Sequence, residues 1–285
     1  MDLSFLKSLL LVVDSGSISQ AARKQQLTGA ALRQRIAAIE RDLGVSLITR
    51  SGHTCLPTQA CKDLLPRARH MLNEWDLLRE DVDTAGISGQ LKIGAISTAL
   101  TGLMPKALRA IAIQAPRLTP FLRPGSSNDL YQALLSEQLD AIVTVAPPFA
   151  TPKTITAVTL RKEQLVLITP AEATISVKQQ LSNQLYIRYD AASWGGRFAQ
   201  QYILDQRLKP RLLCELDGLE AIALMVGEKL GVSLVPSWQG LNNLKGKVQI
   251  TPISGAKYHR TIVLMVRQTS AKSDKIKLLM SLLVD

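Results

Sequence analysis

The thirteen residues from Gly16 to Thr28, GSISQAARKQQLT, constrain the fold more than any other stretch of the chain. Upstream, Phe5, Leu6, Leu9, Leu10 and Val13 recur at helical spacing, and Gly16 is a natural stop for that helix. Ser17 with Gln20 matches a capping box, in which hydroxyl and amide reach reciprocally to free backbone N–H groups, so a second helix begins at once. Ile18, Ala21 and Ala22 give it a face of small residues that another helix can approach closely. Thr28 then supplies the cap of a third helix.

In that third helix Leu32, Ile36, Ile39 and Leu43 form one narrow apolar stripe, expected to be buried. Ala30, Gln34, Ala37 and Arg41 fall opposite, with Arg33 on the flank near the amino end. Such a face can enter a major groove: arginine bridges guanine O6 and N7, glutamine pairs with adenine, and alanine touches a thymine methyl. A solvated helix face has the same composition. A short helix, a tight turn and a second helix polar at its amino end is, however, the helix-turn-helix arrangement. Ser17, Thr28, Gly29, Ala30, Arg33, Gln34 and Arg35 are the candidate DNA contacts on this unit. VSLITRSGHTCLPT then alternates around Ser51-Gly52 and reads as a hairpin wing, with Arg50 and His53 placed to meet phosphate or minor groove.

Charge adds little to this reading. The net charge is +11, but residues 1–70 hold ten basic and five acidic residues, EWDLLREDVD at 74–83 is acidic, and residues 84–285 carry 23 bases against 13 acids. The excess is spread over the chain, as in many basic soluble proteins. Three cysteines without a CxxC pair suggest neither a disulfide framework nor a zinc site. Asp2 and Lys7 break up the apolar amino-terminal run, so no signal peptide is expected, and no run reaches a membrane span. A reduced, cytoplasmic location is the expectation.

Residues 58–85 read as one long helix adjusted at Pro66, with a stripe of Leu64, Leu65, Ala68, Met71, Leu72, Trp75 and Leu78 too long for a small wing to bury. AGISG at 85–89 supplies a break. Beyond it short strands alternate with helices: QLKIGAI, a helix over 104–114, RLTPFLRP, a helix over 128–137, and LDAIVTV. After QLVLITP come LYIRY, a helix near 193–206, RLLCEL, a helix over 219–229, VSLVP, RTIVLMV and a last helix over 270–283. This is the rhythm of parallel sheets with crossover helices, whose ligand sites lie beyond the carboxyl ends of the strands.

The first sixty residues resemble the winged helix-turn-helix of LysR-type transcriptional regulators. The pattern is carried by Phe5, Gly16-Ser17, Ala21-Ala22, Leu27, Ala31, Gln34, Ile36, Glu40, Leu43-Gly44, Leu47, Arg50, Leu56, Thr58 and Ala60. MVGEKLGVSLVP resembles a later segment of the same family. Gly29, Ala30 and Arg33 depart from it on the reading face, as do Ile48 and Cys61 elsewhere, leaving Arg33 and Gln34 as the direct readers and more weight on phosphate contacts and DNA shape.

The resemblance implies an α/β chain in three parts. Residues 1–57 form a winged helix-turn-helix, 58–89 a linker helix and hinge that pairs with a second copy, and 90–285 a two-lobed domain like periplasmic binding proteins. Lobe one takes 90–164 and 265–285, lobe two 165–264. The partners implied are double-stranded DNA, a small-molecule effector of unknown identity, a second or further copies of the chain, and RNA polymerase as a candidate, with no membrane, metal or cofactor. Hydroxyls and free N–H groups at strand-to-helix junctions select Ser97, Thr98, Thr101, Ser126 and Ser127 on lobe one, and Ser193, Trp194 and Asp217 on lobe two. Arg188 and Arg197 are candidates to balance an anion.

Two other classes compete. An enzyme is disfavoured by three scattered histidines and the lack of a nucleophile elbow, phosphate loop or His/Cys/carboxylate cluster. A cytoplasmic solute-binding or sensor protein with weak or non-specific DNA binding fits the second half alone, but leaves the amino-terminal unit unexplained.

Overall fold

The structure is a computed structural model that describes residues 2–51, 54–82, 86–171, 176–244 and 246–284. The chain divides into two compact units, Met1–Ala85 with Ser136–Gln138, and Gly86–Leu135 with Leu139–Asp285.

In the first unit, α1 (Leu3–Ser15) opens on Asp2, whose carboxylate accepts the Ser4 N–H at 2.7 Å, and ends on Gly16 at φ 63°. α2 (Ile18–Lys24) and α3 (Gly29–Leu43) follow, with Ser17 and Thr28 at their caps. β1 (Ile48–Ser51) and β2 (Thr54–Pro57) pair antiparallel, Ile48 opposite Pro57 and Arg50 opposite Cys55. α4 (Gln59–Val82) keeps Pro66 inside it.

Two apolar clusters hold these elements. Leu6, Leu9, Leu10, Ile39 and Leu47 pack with Cys61 and Ala68 of α4, so the start of the expected linker is part of this core. Val12, Ala21, Ala22, Leu32, Ile36 and Cys55 make the second. Leu43 departs from its expected burial: it is the last residue of α3 and is 44% exposed. Met71, Trp75 and Leu78 are also exposed, at 46%, 47% and 58%. Arg69, almost fully buried, donates to Asp14 at 2.6 Å and ties α4 to α1.

The second unit has two lobes. The first contains β3 (Ser88–Ala95), α5 (Ser97–Gly102), α6 (Met104–Gln114), β4 (Arg117–Pro124), α7 (Ser127–Leu135), β5 (Ala141–Val145) and β6 (Ile155–Glu163). The second contains β7 (Leu165–Pro170), α8 (Val177–Asn183), β8 (Leu185–Tyr189), α9 (Arg197–Asp205), β9 (Arg211–Leu216), α10 (Leu219–Gly227), β10 (Ser233–Pro236) and β11 (Val248–Pro252). β12 (Arg260–Arg267) and α11 (Asp274–Leu283) return to the first.

Sheet order in the first lobe is β4-β3-β5-β12-β6. In the second, β8 pairs with β9, β7 lies between β10 and β11, and a parallel bridge from Tyr186 to Val232 joins the two pieces. Each lobe therefore places one strand antiparallel to its parallel set: β12 in the first and β7 in the second. An all-parallel sheet was expected. A strand arriving from the other lobe enters from the opposite end and so runs against its neighbours.

The crossings follow from this. β6 ends at Glu163 and β7 begins at Leu165, where the first crossing was expected. The return falls earlier than the expected residue 265: β12 pairs with β6 from Arg260 onward, so residues 260–264 belong to lobe one. β3 likewise starts at Ser88, inside the expected hinge. β6, α8, β11 and the helical turn of α5 had no counterpart in the sequence reading.

Candidate functional site

α3 presents a capped helix start and an open outer face. Thr28 Oγ1 accepts the Ala31 N–H at 3.1 Å, and Ser17 Oγ accepts that of Gln20 at 3.4 Å, so both hydroxyls serve their own helices. Ala30, Arg33, Gln34, Ala37 and Arg41 are all exposed, as the helical wheel requires. A Cβ added at Gly29 would make only ordinary contacts, 3.7 Å from Arg33 Nη1 and 4.0 Å from Ile18 Cγ2. Packing therefore does not demand glycine there.

Arg35 does not belong to this face. Its guanidinium donates to Ser8 Oγ at 3.3 Å and lies 5.6 Å from the Phe5 ring centre, so it braces α3 against α1. Glu40, which the family pattern marked without a role, accepts the Leu47 N–H at 2.7 Å and the Ile48 N–H at 3.2 Å through one oxygen and fastens the entry of the wing to α3. Behind it the Cys61 thiol is pushed up to about 11, mainly by burial and also by the Glu40 charge. Arg50 lies on β1, its side chain outside the described residues, as is His53.

The second unit contains a cavity of about 580 Å³ between its lobes. Of the eight residues expected there, Ser97, Thr98, Ser126, Ser127, Ser193, Trp194 and Asp217 line it. Thr101 does not. It sits one turn along α5, where its hydroxyl donates to Ser97 O at 3.2 Å and meets Glu220 Oε1 at 3.2 Å. Arg188 and Arg197 are not in the lining either: Arg188 pairs with Glu215 at 3.3 Å, and Arg197 lies over the Phe198 ring at 4.7 Å.

The arginine of the cleft is Arg260, the first residue of β12, only 2% exposed. Its Nε and Nη2 both reach Glu163 Oε2 at 2.6 Å, Nη2 donates to Thr98 Oγ1 at 3.1 Å, and Nη1 approaches the Tyr189 hydroxyl at 3.5 Å. Glu163 ends β6 just before the first crossing and Arg260 begins β12 just after the return, so the ion pair bolts the two crossings together. No local pattern in the sequence pairs residues 97 positions apart.

Trp194 joins the lobes on the other side. It is packed in the apolar core of the first lobe, with ring centres 5.7 Å from Tyr131 and 5.5 Å from Phe149. Its loop depends on two glycines. A Cβ at Gly196 would collide with Asp190 O, and one at Gly195 with the Tyr189 hydroxyl. Ser193 Oγ donates to Asp190 O at 2.8 Å and accepts the Gly196 N–H at 3.0 Å, which fixes the turn. Asp217 is open to the cleft, yet the surrounding protein, and secondarily the Asp190 charge, hold its carboxyl above the usual range. Among the described residues no cluster of His, Cys, Asp or Glu could hold a metal ion, and no helix is long and apolar enough to cross a membrane.

Comparison with known proteins covers both units. Residues 3–62 match the bacterial regulatory helix-turn-helix protein, lysR family, and residues 84–285 match the LysR substrate binding domain. The nitrogen assimilation regulatory protein nac of Escherichia coli K12 is 27% identical over 243 residues, covering 83% of this chain and 78% of that one. A full-length OxyR variant from Pseudomonas aeruginosa superposes with a TM-score of 0.77 at 21% identity, over 99% of this chain and 94% of that one. Full-length CbnR, solved with its target DNA, superposes with a TM-score of 0.64 at 20% identity, over 99% of both chains.

Proposed function

The chain belongs to the LysR family of DNA-binding transcriptional regulators with an effector-binding domain, and from that premise we propose which of its residues do the work. The outer face of α3 reads the major groove. Arg33 and Gln34 make the base contacts, Ala30 and Ala37 allow close approach, and Arg41 meets phosphate. Ser17 and Thr28 present the capped amino ends of α2 and α3 to the phosphate backbone. The small-molecule effector occupies the cleft between the lobes, against Ser97, Thr98, Ser126, Ser127, Ser193, Trp194 and Asp217. The exposed stripe of Met71, Trp75 and Leu78 on α4 pairs with a second copy of the chain, which presents two reading heads to paired half-sites. The protein works in the cytoplasm and has no catalytic role.

The cavity between two cross-linked lobes carries this reading. An effector acts only if it binds two arrangements of the lobes with different affinity. Arg260 and Trp194 hold one such arrangement. The test is a footprint on DNA upstream of the chain's own gene, with and without the low-molecular-weight fraction of a cell extract. A footprint that changes with extract for the native chain, and not for Ser97→Trp, supports the cleft as the control site. One that extract changes equally in both places control elsewhere.

A further inference from the structure

We propose that the effector carries a protonated amine, which the carboxylates of Asp190 and Asp217 hold. This rests on the reading of the cleft as the effector site and names the ligand's chemical class. Among the described residues lining the cavity, the acidic and basic side chains are Asp190, Asp217 and Arg260. Arg260 is already matched, since Glu163 takes two of its nitrogens at 2.6 Å and is itself only 6% exposed. A ligand carboxylate seeking that guanidinium would have to displace a buried carboxylate.

The two aspartates stand differently. Asp190 Oδ1 takes the Ala192 N–H at 2.9 Å, which turns the residue without neutralising its charge. Asp217 follows β9 and faces the same cavity, where the two like charges repel. A cation between them removes that repulsion and gains two charge-assisted hydrogen bonds.

The opposite wall is neutral. Ser97, Ser126, Ser127 and Asn128 supply hydrogen-bonding groups. The amino end of α7 already holds its own carboxylate: Ser126 Oγ donates to Asp129 Oδ2 at 2.8 Å and receives the Asp129 N–H at 3.2 Å. That wall suits the polar, uncharged or weakly charged remainder of the molecule, while the charged recognition lies with the aspartates.

The experiment uses the full chain and two probe sets. One contains the common free amino acids with putrescine and spermidine; the other contains acids that lack an amine, namely pyruvate, 2-oxoglutarate, succinate and benzoate. Binding is read by the rise in melting temperature and by tryptophan fluorescence. A member of the first set binds the native chain, Asp217→Asn weakens it about tenfold or more, and Asp217→Lys abolishes it. Asp217→Asn is expected to fold at least as well as the native chain, since the fold disfavours the charge at this position.

If an acid of the second set binds, and Asp217→Lys strengthens it, the amine assignment falls and the cleft reading stands. If a probe binds with affinity unaffected by Asp217→Asn, Asp217→Lys and Ser97→Trp alike, it sits outside the cleft and both fall. If nothing in the first set binds, the proposed ligand class is wrong.

Discussion

Replacing Arg260 by methionine leaves Glu163 buried at the junction of the lobes without its cation. The guanidinium is 2% exposed, and its bonds to Glu163 run at 2.6 Å, so the loss is that of a buried pair rather than a surface one. Breaking such a pair from one side costs about 3–5 kcal/mol. Exchanging both members for apolar residues removes the uncompensated charge and brings the cost near zero. The contact to Thr98 at 3.1 Å is lost in either case, which adds about 1 kcal/mol.

Arg260→Met alone should therefore destabilise the second unit by about 4–6 kcal/mol, and Arg260→Met with Glu163→Leu by about 1–2 kcal/mol. The assay is urea unfolding followed by tryptophan fluorescence, since Trp194 and Trp238 both lie in this unit and are buried. The double-mutant cycle reads the coupling directly. If the single and double variants lose the same stability, or Arg260→Met loses less than about 1 kcal/mol, the pair is not the bolt described here.

Three further outcomes follow from the same structure. Hydrogen bonds from Lys257, Tyr258 and Gln201 hold the Asp205 carboxyl at about 2, so its contribution to stability is complete above the unfolded-state value near 3.8 and is lost as pH falls through about 2; acid unfolding of Asp205→Asn should lack that component. Gly29→Ala has room for its methyl and should raise the stability of the first unit by about 0.5–1 kcal/mol, read as a higher midpoint in thermal unfolding; a loss would mean that the backbone at Gly29 cannot accept a side chain. Cys214, partly exposed on β9, should react with iodoacetamide in the native protein at pH 8, whereas Cys61, fully buried and pushed up to about 11, should react only on unfolding; mass spectrometry of the labelled peptides distinguishes them.

Local chemistry made the first unit readable. Ser17, Thr28 and Gly16 act within three or four residues of themselves, and the structure places each at the helix end where the sequence indicates. The bracing role of Arg35 is not legible in the sequence, because its partners, Ser8 and Phe5, lie on another helix, and periodicity sees only one. The cleft followed from hydroxyl-rich strand ends, a rule that gives the end of an element but not the turn beyond it; Thr101 failed by one helical turn. The alternation of β6 is masked by threonines and charges, as in ITAVTLRKE, whereas α8 carries a local signal in the capping box of Ser176 and Gln179. Arg260 and Glu163 could not be paired from sequence at all, since the chain enters and leaves the second lobe between them.

The central claim is that the outer face of α3 reads base sequence. Its most direct test is a titration of the native chain and an Arg33→Ala, Gln34→Ala variant against DNA from upstream of the chain's own gene and a shuffled control, at several salt concentrations. The native chain should prefer the upstream fragment, and the variant should bind both fragments alike, with a salt slope like that of the native chain because the phosphate contacts remain. Equal preference by the native chain and the variant would contradict the claim and move base recognition off this helix face.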